Sequence, residues 1–599
     1  MIRTSPLSVT LAALLVSLGA PAAAQEAAPT DTPAPPLGAQ PPAPPAVEPS
    51  TNAMVNLIRL LVQQGTITRE NGDALLRQAQ TEAGQARVAS GELTPPPAGV
   101  VRVPYVPQSV RNAIRDEIKG EVMKQAQAEG WAAPNQKAPE WVERVRLSAD
   151  VRARGQRDLF SKDNADDIID YAAINATAGG FDFFRNINNV PIVNRRVDRD
   201  RLRIRARLGL ELDVSPFATV AAKLATGDDN SPISTNQSLG GGLAKRNIWL
   251  DQAYLRLSPQ KNVTALFGRF PNPFSSTDLV FDRDLNFDGG LIDLHSTFEG
   301  GPSIAVRGGA FPLDFGSDNF PTTSITKQKY PSKWLFGGQG EARGEFGGVK
   351  LSVAGAYYHF RNIQGQLSAP CLFNGATVSI GTNDPTDCST DGSRAFFPRY
   401  GNTLFFLRNI VVPAPDTLPA SNRQYLGLAY KYSLLDINAS VGFPIGGVEA
   451  QLQGNYVRNL AYKRRDACRY GTSANGAPFT NVTSVNGNDN ACSAVAPATI
   501  DGGNQGYLVR LTVGTPKPRK WGEWSLAADY RYLETDAVLD SLTESDFHLG
   551  GTNAKGYSIA GSLGLFDGVW LTGRWFSANE VSGRPLAIDT FQIDLNGEF

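Results

Sequence analysis

The stretch Arg201-Leu202-Arg203-Ile204-Arg205-Ala206-Arg207-Leu208-Gly209-Leu210-Glu211-Leu212-Asp213-Val214 reads as one long strand with two unlike faces. Successive side chains of a strand point to opposite sides. Leu202, Ile204, Ala206, Leu208, Leu210, Leu212 and Val214 therefore share one face, while Arg201, Arg203, Arg205, Arg207, Glu211 and Asp213 share the other. A globular edge strand needs far less alternation. This length suits a strand with lipid on one side and water on the other.

The same period runs to the end of the chain. Phe591, Ile593, Leu595 and Phe599 oppose Gln592, Asp594, Asn596 and Glu598, and the pattern recurs at 447–458, 507–514, 524–532 and 557–565. Candidate strands lie near 142–156, 201–214, 217–226, 247–258, 262–271, 289–298, 302–311, 333–346, 348–361, 421–443, 447–459, 506–515, 522–533, 555–566, 568–577 and 587–599. That is about 16, an even number, which brings both ends out on one side. Tight turns at Ser215-Pro216, Ser258 to Lys261, Gly300-Gly301, Gly347, Pro444 to Gly446 and Asp567 alternate with long loops such as 157–200, 227–246, 271–288, 362–420, 460–505 and 534–554. Short turns at one end and long loops at the other define a transmembrane antiparallel β-barrel, assigned to residues 141–599. Gly454, Gly561 and Gly573 on the apolar faces ease curvature in a closed sheet. Trp249, Trp334, Tyr357, Tyr358, Trp521, Trp524, Tyr530, Tyr532, Trp570 and Trp575 fall at strand ends, where interfacial girdles are expected. A soluble β-sandwich would explain some strands but not the sustained alternation.

Ahead of the barrel the chain changes character. Arg3, the apolar run Leu7 to Leu18 and Ala22-Ala23-Ala24 before Gln25 have the form of a cleaved export signal, assigned to residues 1–24. The run is too short to span a bilayer, which takes about 20 apolar residues. Residues 25–51 are Ala/Pro-rich and read as an extended linker. Residues 52–130 read as a small α-helical periplasmic segment: Leu57, Ile58, Leu60, Leu61 and Val62 give one apolar face, Ala74 to Ala86 a second helix, and Val110, Ile114, Ile118, Val122 and Ala126 a third. Such a segment could be a coiled coil that organises an oligomer, an arm touching peptidoglycan, or helices packed on their own chain.

Composition removes several function classes. The 57 Lys+Arg and 58 Asp+Glu nearly cancel, so bulk charge offers no hold on nucleic acid. Three histidines and four cysteines leave little for a metal centre, and no cofactor is expected. No GxSxG, HExxH or Walker-type loop occurs, and His295, His359 and His548 are dispersed, so no enzyme is expected. A barrel hydrolase would need a Ser–His pair near the outer interface, where His359 is the one plausible base. A TonB-coupled transporter would need more strands and a folded plug. All four cysteines fall in long loops; Cys371–Cys388 and Cys468–Cys492 is the natural pairing in an oxidising compartment, although four cysteines allow two other connectivities.

Leu147-Ser148-Ala149-Asp150-Val151-Arg152, Arg201 to Leu210, Gly268-Arg269-Phe270-Pro271-Asn272-Pro273-Phe274 and above all Thr277-Asp278-Leu279-Val280-Phe281-Asp282-Arg283-Asp284-Leu285-Asn286-Phe287-Asp288-Gly289 carry a resemblance to the putative porins of Gram-negative outer membranes. The resemblance covers roughly residues 50–599. It implies passive diffusion of small hydrophilic solutes through an outer-membrane homotrimer, with outer-membrane lipid as neighbour and the barrel-insertion machinery as a partner in biogenesis. Phe599 resembles the aromatic terminal signal that this machinery reads.

About 16 strands enclose water, whereas about eight leave a packed interior. Flux is then set by a constriction. In general porins the loop after the fifth strand folds into the lumen, and here that loop carries Asp278, Asp282, Arg283, Asp284 and Asp288. Arg152, Arg154, Arg203, Arg205, Arg207 and Glu211 are expected to line the pore, so that an acidic loop faces an arginine wall and sets up a transverse field. Asp282 could instead cap a turn, or join Asp284 and Asp288 around Ca²⁺, although the EF-hand spacing is lacking and no metal is expected. The arginines equally suit a substrate-selective porin for phosphate, another anion or a sugar, and a tether to peptidoglycan through the helical segment is a further alternative.

Overall fold

The structure is a computed structural model that describes residues 61–62, 67–68, 70–78, 81 and 140–599, less 229–230, 317–326, 328–329, 371–389, 411–421, 469–477, 484–491 and 493–498. The chain divides into a unit of residues 1–128 and a unit of residues 129–599. In the first, residues 61–62 and 70–78 are helical, and Gly72 N donates to Thr68 O, so the second helix begins earlier than the expected Ala74. The rest of the expected leader, linker and helical segment lies outside the described residues.

The second unit is a closed 16-strand antiparallel barrel. Its strands are β1 (Val145–Phe160), β2 (Arg199–Ser215), β3 (Ala218–Thr226), β4 (Ile248–Gln260), β5 (Val263–Pro271), β6 (Asn286–Thr297), β7 (Ser303–Asp314), β8 (Lys333–Phe346), β9 (Val349–Arg361), β10 (Tyr432–Ile445), β11 (Val448–Asn459), β12 (Gln505–Gly514), β13 (Trp524–Leu533), β14 (Ala554–Phe566), β15 (Val569–Glu580) and β16 (Ile588–Glu598). A two-residue strand, Gln237–Ser238, adds to β2 opposite Arg203 and Ile204. The ring closes where β1 pairs with β16, from Asp150↔Glu598 to Phe160↔Ile588. The terminal residue extends that seam, with Phe599 N donating to Ala149 O at 3.0 Å.

Alternation sorts the side chains as the sequence predicts. Along β1, Arg152, Arg154, Gln156 and Asp158 are buried inside, while Leu147 and Val151 are exposed on the outer face. Along β2, Leu202, Leu208, Leu210 and Leu212 are exposed. Two-residue connections such as Gly347-Gly348 and Gly446-Gly447 have positive φ at both residues, the geometry that matches the strand twist in a tight hairpin.

Two sequence expectations change. The expected strand 421–443 begins at Tyr432; upstream, Arg423–Gln424 pairs with Phe181–Asp182 and Leu426–Leu428 with Leu404–Phe406, in small separate sheets. Tyr425 to Tyr430 are buried without alternation, which marks a segment enclosed on both faces. The aromatic girdle also loses members. Tyr358 is fully buried against Phe274 and Phe281, while Trp249 and Trp570 sit opposite the inward-facing Ala225 and Asn596. Trp334, Tyr357, Trp524, Tyr530, Tyr532 and Trp575 keep the outer face.

The main hydrophobic cluster lies within the ring, where loops fold inward: Phe274, Leu279, Val280, Phe281, Phe405, Leu426, Val538 and Leu542 are among its members. Gly268 and Gly289 face each other across β5 and β6 just before the inward-folded loop. Both have positive φ, and a Cβ on Gly289 would stand 2.2 Å from Ala310 O. Gly289→Ala is therefore expected to destabilise the barrel by about 1–3 kcal/mol, read as a lower urea midpoint for heat-modifiable gel mobility. Gly573→Ala, where no atom lies within 4 Å of the new methyl, should leave the midpoint unchanged.

Candidate functional site

The segment between β5 and β6, residues 272–285, leaves the wall and crosses the lumen. Pro273 and the Asn272 side chain, whose Oδ1 accepts from Phe274 N at 3.0 Å, start the inward turn. Phe274 packs edge to face on Tyr358, with ring centroids 5.1 Å apart. Ser275 donates to Glu341 Oε1 at 2.7 Å and Thr277 to Asn455 Oδ1 at 2.6 Å, which fixes this part of the loop to the β8 and β11 walls. The buried Leu279, Val280 and Phe281 then anchor its middle in the hydrophobic cluster.

The acidic residues do three different things. Asp284 meets the arginine wall, with Oδ1 3.3 Å from Arg207 Nη1 and 3.6 Å from Arg205 Nη1, while Oδ2 accepts from Thr235 Oγ1 at 2.8 Å. Asp278 faces the other way, to Arg283 within the loop at 2.7 Å and to Arg510 of β12 at 2.9 Å. Asp282 caps backbone: its carboxylate accepts from Asp284 N at 2.8 Å and from Ser545 N at 2.9 Å. Asp288 lies in β6, where it pairs with Arg269 of β5 at 3.0 Å.

These partners set the charges. Burial would raise the Asp278 carboxyl, but Arg283 and Arg510 outweigh it and hold the group well below the usual carboxylate range. Burial likewise opposes Arg205 and Arg207 at Asp284, and the arginines win. For Asp282, burial and the neighbouring Asp284 act together and push its pKa well up.

The arginine wall is a ladder of ion pairs. Arg154 makes a bidentate bond to Asp594 at 2.7 and 2.9 Å and a third contact to Asp546 at 2.6 Å. Arg203 approaches Asp546 at 3.7 Å, and Asp150 takes Arg207 at 2.6 Å and Arg205 at 3.0 Å. Arg152 donates to Asn236 and has no carboxylate within salt-bridge reach among the described residues. Glu211 sits near the tight-turn end with Arg146 at 3.1 Å and Arg256 at 3.4 Å.

Sequence reasoning missed half of the machinery. Residues 534–553 also fold inward and lock onto the first loop: Asp282 N donates to Leu542 O at 2.8 Å, Asp546 reaches the arginine wall, and Glu544 pairs with Arg531. Arg510, Arg531 and Arg574 lie at inward positions of β12, β13 and β15. Parity within the expected strands would have found those three. The acids of the second loop carry no local signal.

Below the loops, on the tight-turn side, lie two cavities that share Gln451 and Gln453. One, about 470 Å³, touches Ser275, Glu341, Arg343, Asn438 and Glu449. The other, about 570 Å³, is bounded by Arg152, Arg205, Arg207, Asp278, Asp284, Arg510, Arg531 and Arg574. Most of these charges are paired. Arg152 and Arg574 are the exceptions among the described residues.

On the outer face, His359 Nδ1 lies 2.9 Å from Ser433 Oγ, its direct cross-strand neighbour. The Ser433 hydroxyl is a partner that the sequence did not reveal, yet among the described residues no carboxylate or amide bonds the other side of the His359 ring. Cys468 and Cys492 are disulfide-bonded. Cys371 and Cys388 lie outside the described residues.

Asp540 in the second loop is fully buried and accepts from Arg399 N at 3.0 Å; burial raises its pKa to about 7. The folded loop thus holds a proton that the unfolded loop releases near pH 4, so loop packing weakens as pH rises between those values. Limited proteolysis of this loop in the folded barrel should accelerate from pH 5 to pH 8, and Asp540→Asn should flatten that rise.

The family model described as "Putative porin" matches residues 51–599. No curated protein matches the chain. Among solved structures, OprB of Pseudomonas putida at high pH is 10% identical, covering 77% of this chain and 96% of that one with a TM-score of 0.40. The outer membrane channel DcaP of Acinetobacter baumannii is 12% identical, covering 76% and 97% with a TM-score of 0.33. OmpT of Vibrio cholerae, with its eighth loop deleted, is 8% identical, covering 76% and 100% with a TM-score of 0.34. With that match over most of its length, and with a closed barrel around its charged lumen, the chain belongs to the putative porin family and forms an outer-membrane channel for passive diffusion.

Proposed function

We propose that the channel passes small hydrophilic solutes with a preference for anions, and that residues 272–285 form its constriction. The observation that carries this reading is the pairing of charges around the larger cavity. Arg205 and Arg207 are matched by Asp150 and Asp284, Arg283 and Arg510 by Asp278, and Arg531 by Asp529 and Glu544. Asp546 is taken by Arg154 and Arg203, and Glu598 by Lys517 and Arg519. Arg152 and Arg574 then remain over, against one carboxylate without a cationic partner among the described residues, Asp282, whose pKa burial and Asp284 push well up. A low-dielectric wall with surplus positive charge raises the local concentration of anions. The wall field expected from the sequence is thereby narrowed: the Asp284 contact neutralises part of the ladder.

A substrate-selective anion channel is the second reading, favoured by the same two arginines. In either case the barrel is proposed to sit in outer-membrane lipid as a homotrimer, after export through the cleaved leader and insertion guided by Phe599. The helical segment is proposed as a periplasmic arm, and co-sedimentation of the intact and shortened chains with peptidoglycan tests its contact with the cell wall.

Planar-bilayer recordings in a KCl gradient test the reading. The refolded protein is expected to give a reversal potential on the chloride side. Arg152→Ser with Arg574→Ser should move it toward cations, and an unchanged value would refute the assignment. Large ohmic steps identify general diffusion, whereas small steps that saturate with phosphate identify the selective channel.

A further inference from the structure

A separate chamber of about 380 Å³ lies at the long-loop ends of β3 to β8, against the segments that carry Phe396, Phe397 and Leu542. Asp284 lines both this chamber and the larger cavity on the tight-turn side, so the two spaces adjoin at the constriction. The chamber floor is apolar. Phe287 and Phe311 are buried there with ring centroids 5.0 Å apart, next to the buried Leu335. Trp249 and Phe397 are exposed at its edge, 40% and 41%. Phe397 holds φ +44°, a conformation that a bulky side chain keeps only where its surroundings enforce it, and such outliers cluster at binding sites.

The charges in the chamber do not balance. Asp288 is matched by Arg269, and Asp284 by Arg205 and Arg207. Asp251 and, at the exposed rim, Asp228 are not matched among the described residues. Asp251 is the extra residue of a β-bulge in β4, opposite the Lys223/Leu224 step, and a bulge re-aims the side chain it carries. Its Oδ1 accepts from Asn286 Nδ2 at 2.7 Å, while Arg269 Nε turns to the Asp251 carbonyl oxygen at 2.9 Å. Among the described residues no cationic side chain lies within salt-bridge reach of the Asp251 carboxylate.

We propose that this chamber is a binding subsite for aromatic amines, with the ring against Trp249 and Phe397 and the protonated nitrogen on Asp251. An ammonium group complements both a lone carboxylate and the negative faces of aromatic rings. A sugar would find hydrogen-bond partners in Asn286 and Arg269 but would bring no cation within salt-bridge reach of Asp251.

The test uses phenethylammonium as probe, with 2-phenylethanol, benzoate and glucose as comparisons, on the refolded full chain. Two readouts are taken: block of single-channel current, and calorimetric titration, which reports binding even where no current flows. Phenethylammonium should bind and block saturably, and the three comparisons should do so at least about tenfold more weakly. Asp251→Asn should weaken binding by a similar factor, with Phe397→Ala as a second variant outside the strand, and folding is checked by heat-modifiable mobility. Equal binding of the neutral alcohol, an unchanged affinity in Asp251→Asn, or saturable binding of glucose in place of the amine would overturn the proposal. A current that flows without any binding sinks the subsite alone, while a silent bilayer with intact binding counts against the channel.

Discussion

Within hydrocarbon every backbone N–H and C=O must be paired inside the protein, and a sheet satisfies this only when it closes on itself. The β1–β16 seam is therefore the constraint from which the rest follows. It brings Val145 and Glu598 to the tight-turn side, and it carries the backbone pairing to the last residue through Phe599 and Ala149. Closure also divides the side chains. Leucines such as Leu202 and Leu210 turn to lipid, and the arginines between them turn inward, where water or a carboxylate must meet them.

That inward turn explains why the loops are inside. A guanidinium removed from bulk water costs several kcal/mol unless it is paired. The strands supply some of the partners, Asp150 and Asp594 among them, and the inward-folded loops supply Asp278, Asp284, Glu544 and Asp546. Breaking one partner of a buried pair costs about 3–5 kcal/mol, so a loop held by several such pairs and by a hydrophobic anchor sits still. The proposed constriction is consequently held as a wall element, and Arg152 and Arg574 below and Asp251 above, which make no ion pair among the described residues, are charges that a solute can meet.

Much of this was legible in the sequence, because period-two alternation is a local signal. Each expected strand corresponds to one in the barrel, and the inward placement of Arg152, Arg154, Arg203, Arg205 and Arg207 follows from parity alone. Where alternation fails, so does the reading: the apolar run Tyr425 to Tyr430 reads as the start of a wall strand, whereas its burial on both faces goes with a small separate sheet, in which Leu426–Leu428 pairs with Leu404–Phe406. Which acid meets which arginine was not legible. Asp284 with Arg207 and Asp278 with Arg510 are contacts between residues far apart in the chain, fixed by the path of a loop that has no period. Ser433 beside His359 escaped for the same reason, since register across two strands decides it.

Residues 272–285 are proposed to narrow a water-filled barrel. Deleting residues 273–284 and joining the ends with a short glycine linker tests it most directly, by single-channel conductance in planar bilayers beside the intact chain. Discrete channels are expected in both, with conductance several times larger in the shortened form. Equal conductance from a shortened chain that still shows heat-modifiable barrel mobility would contradict it.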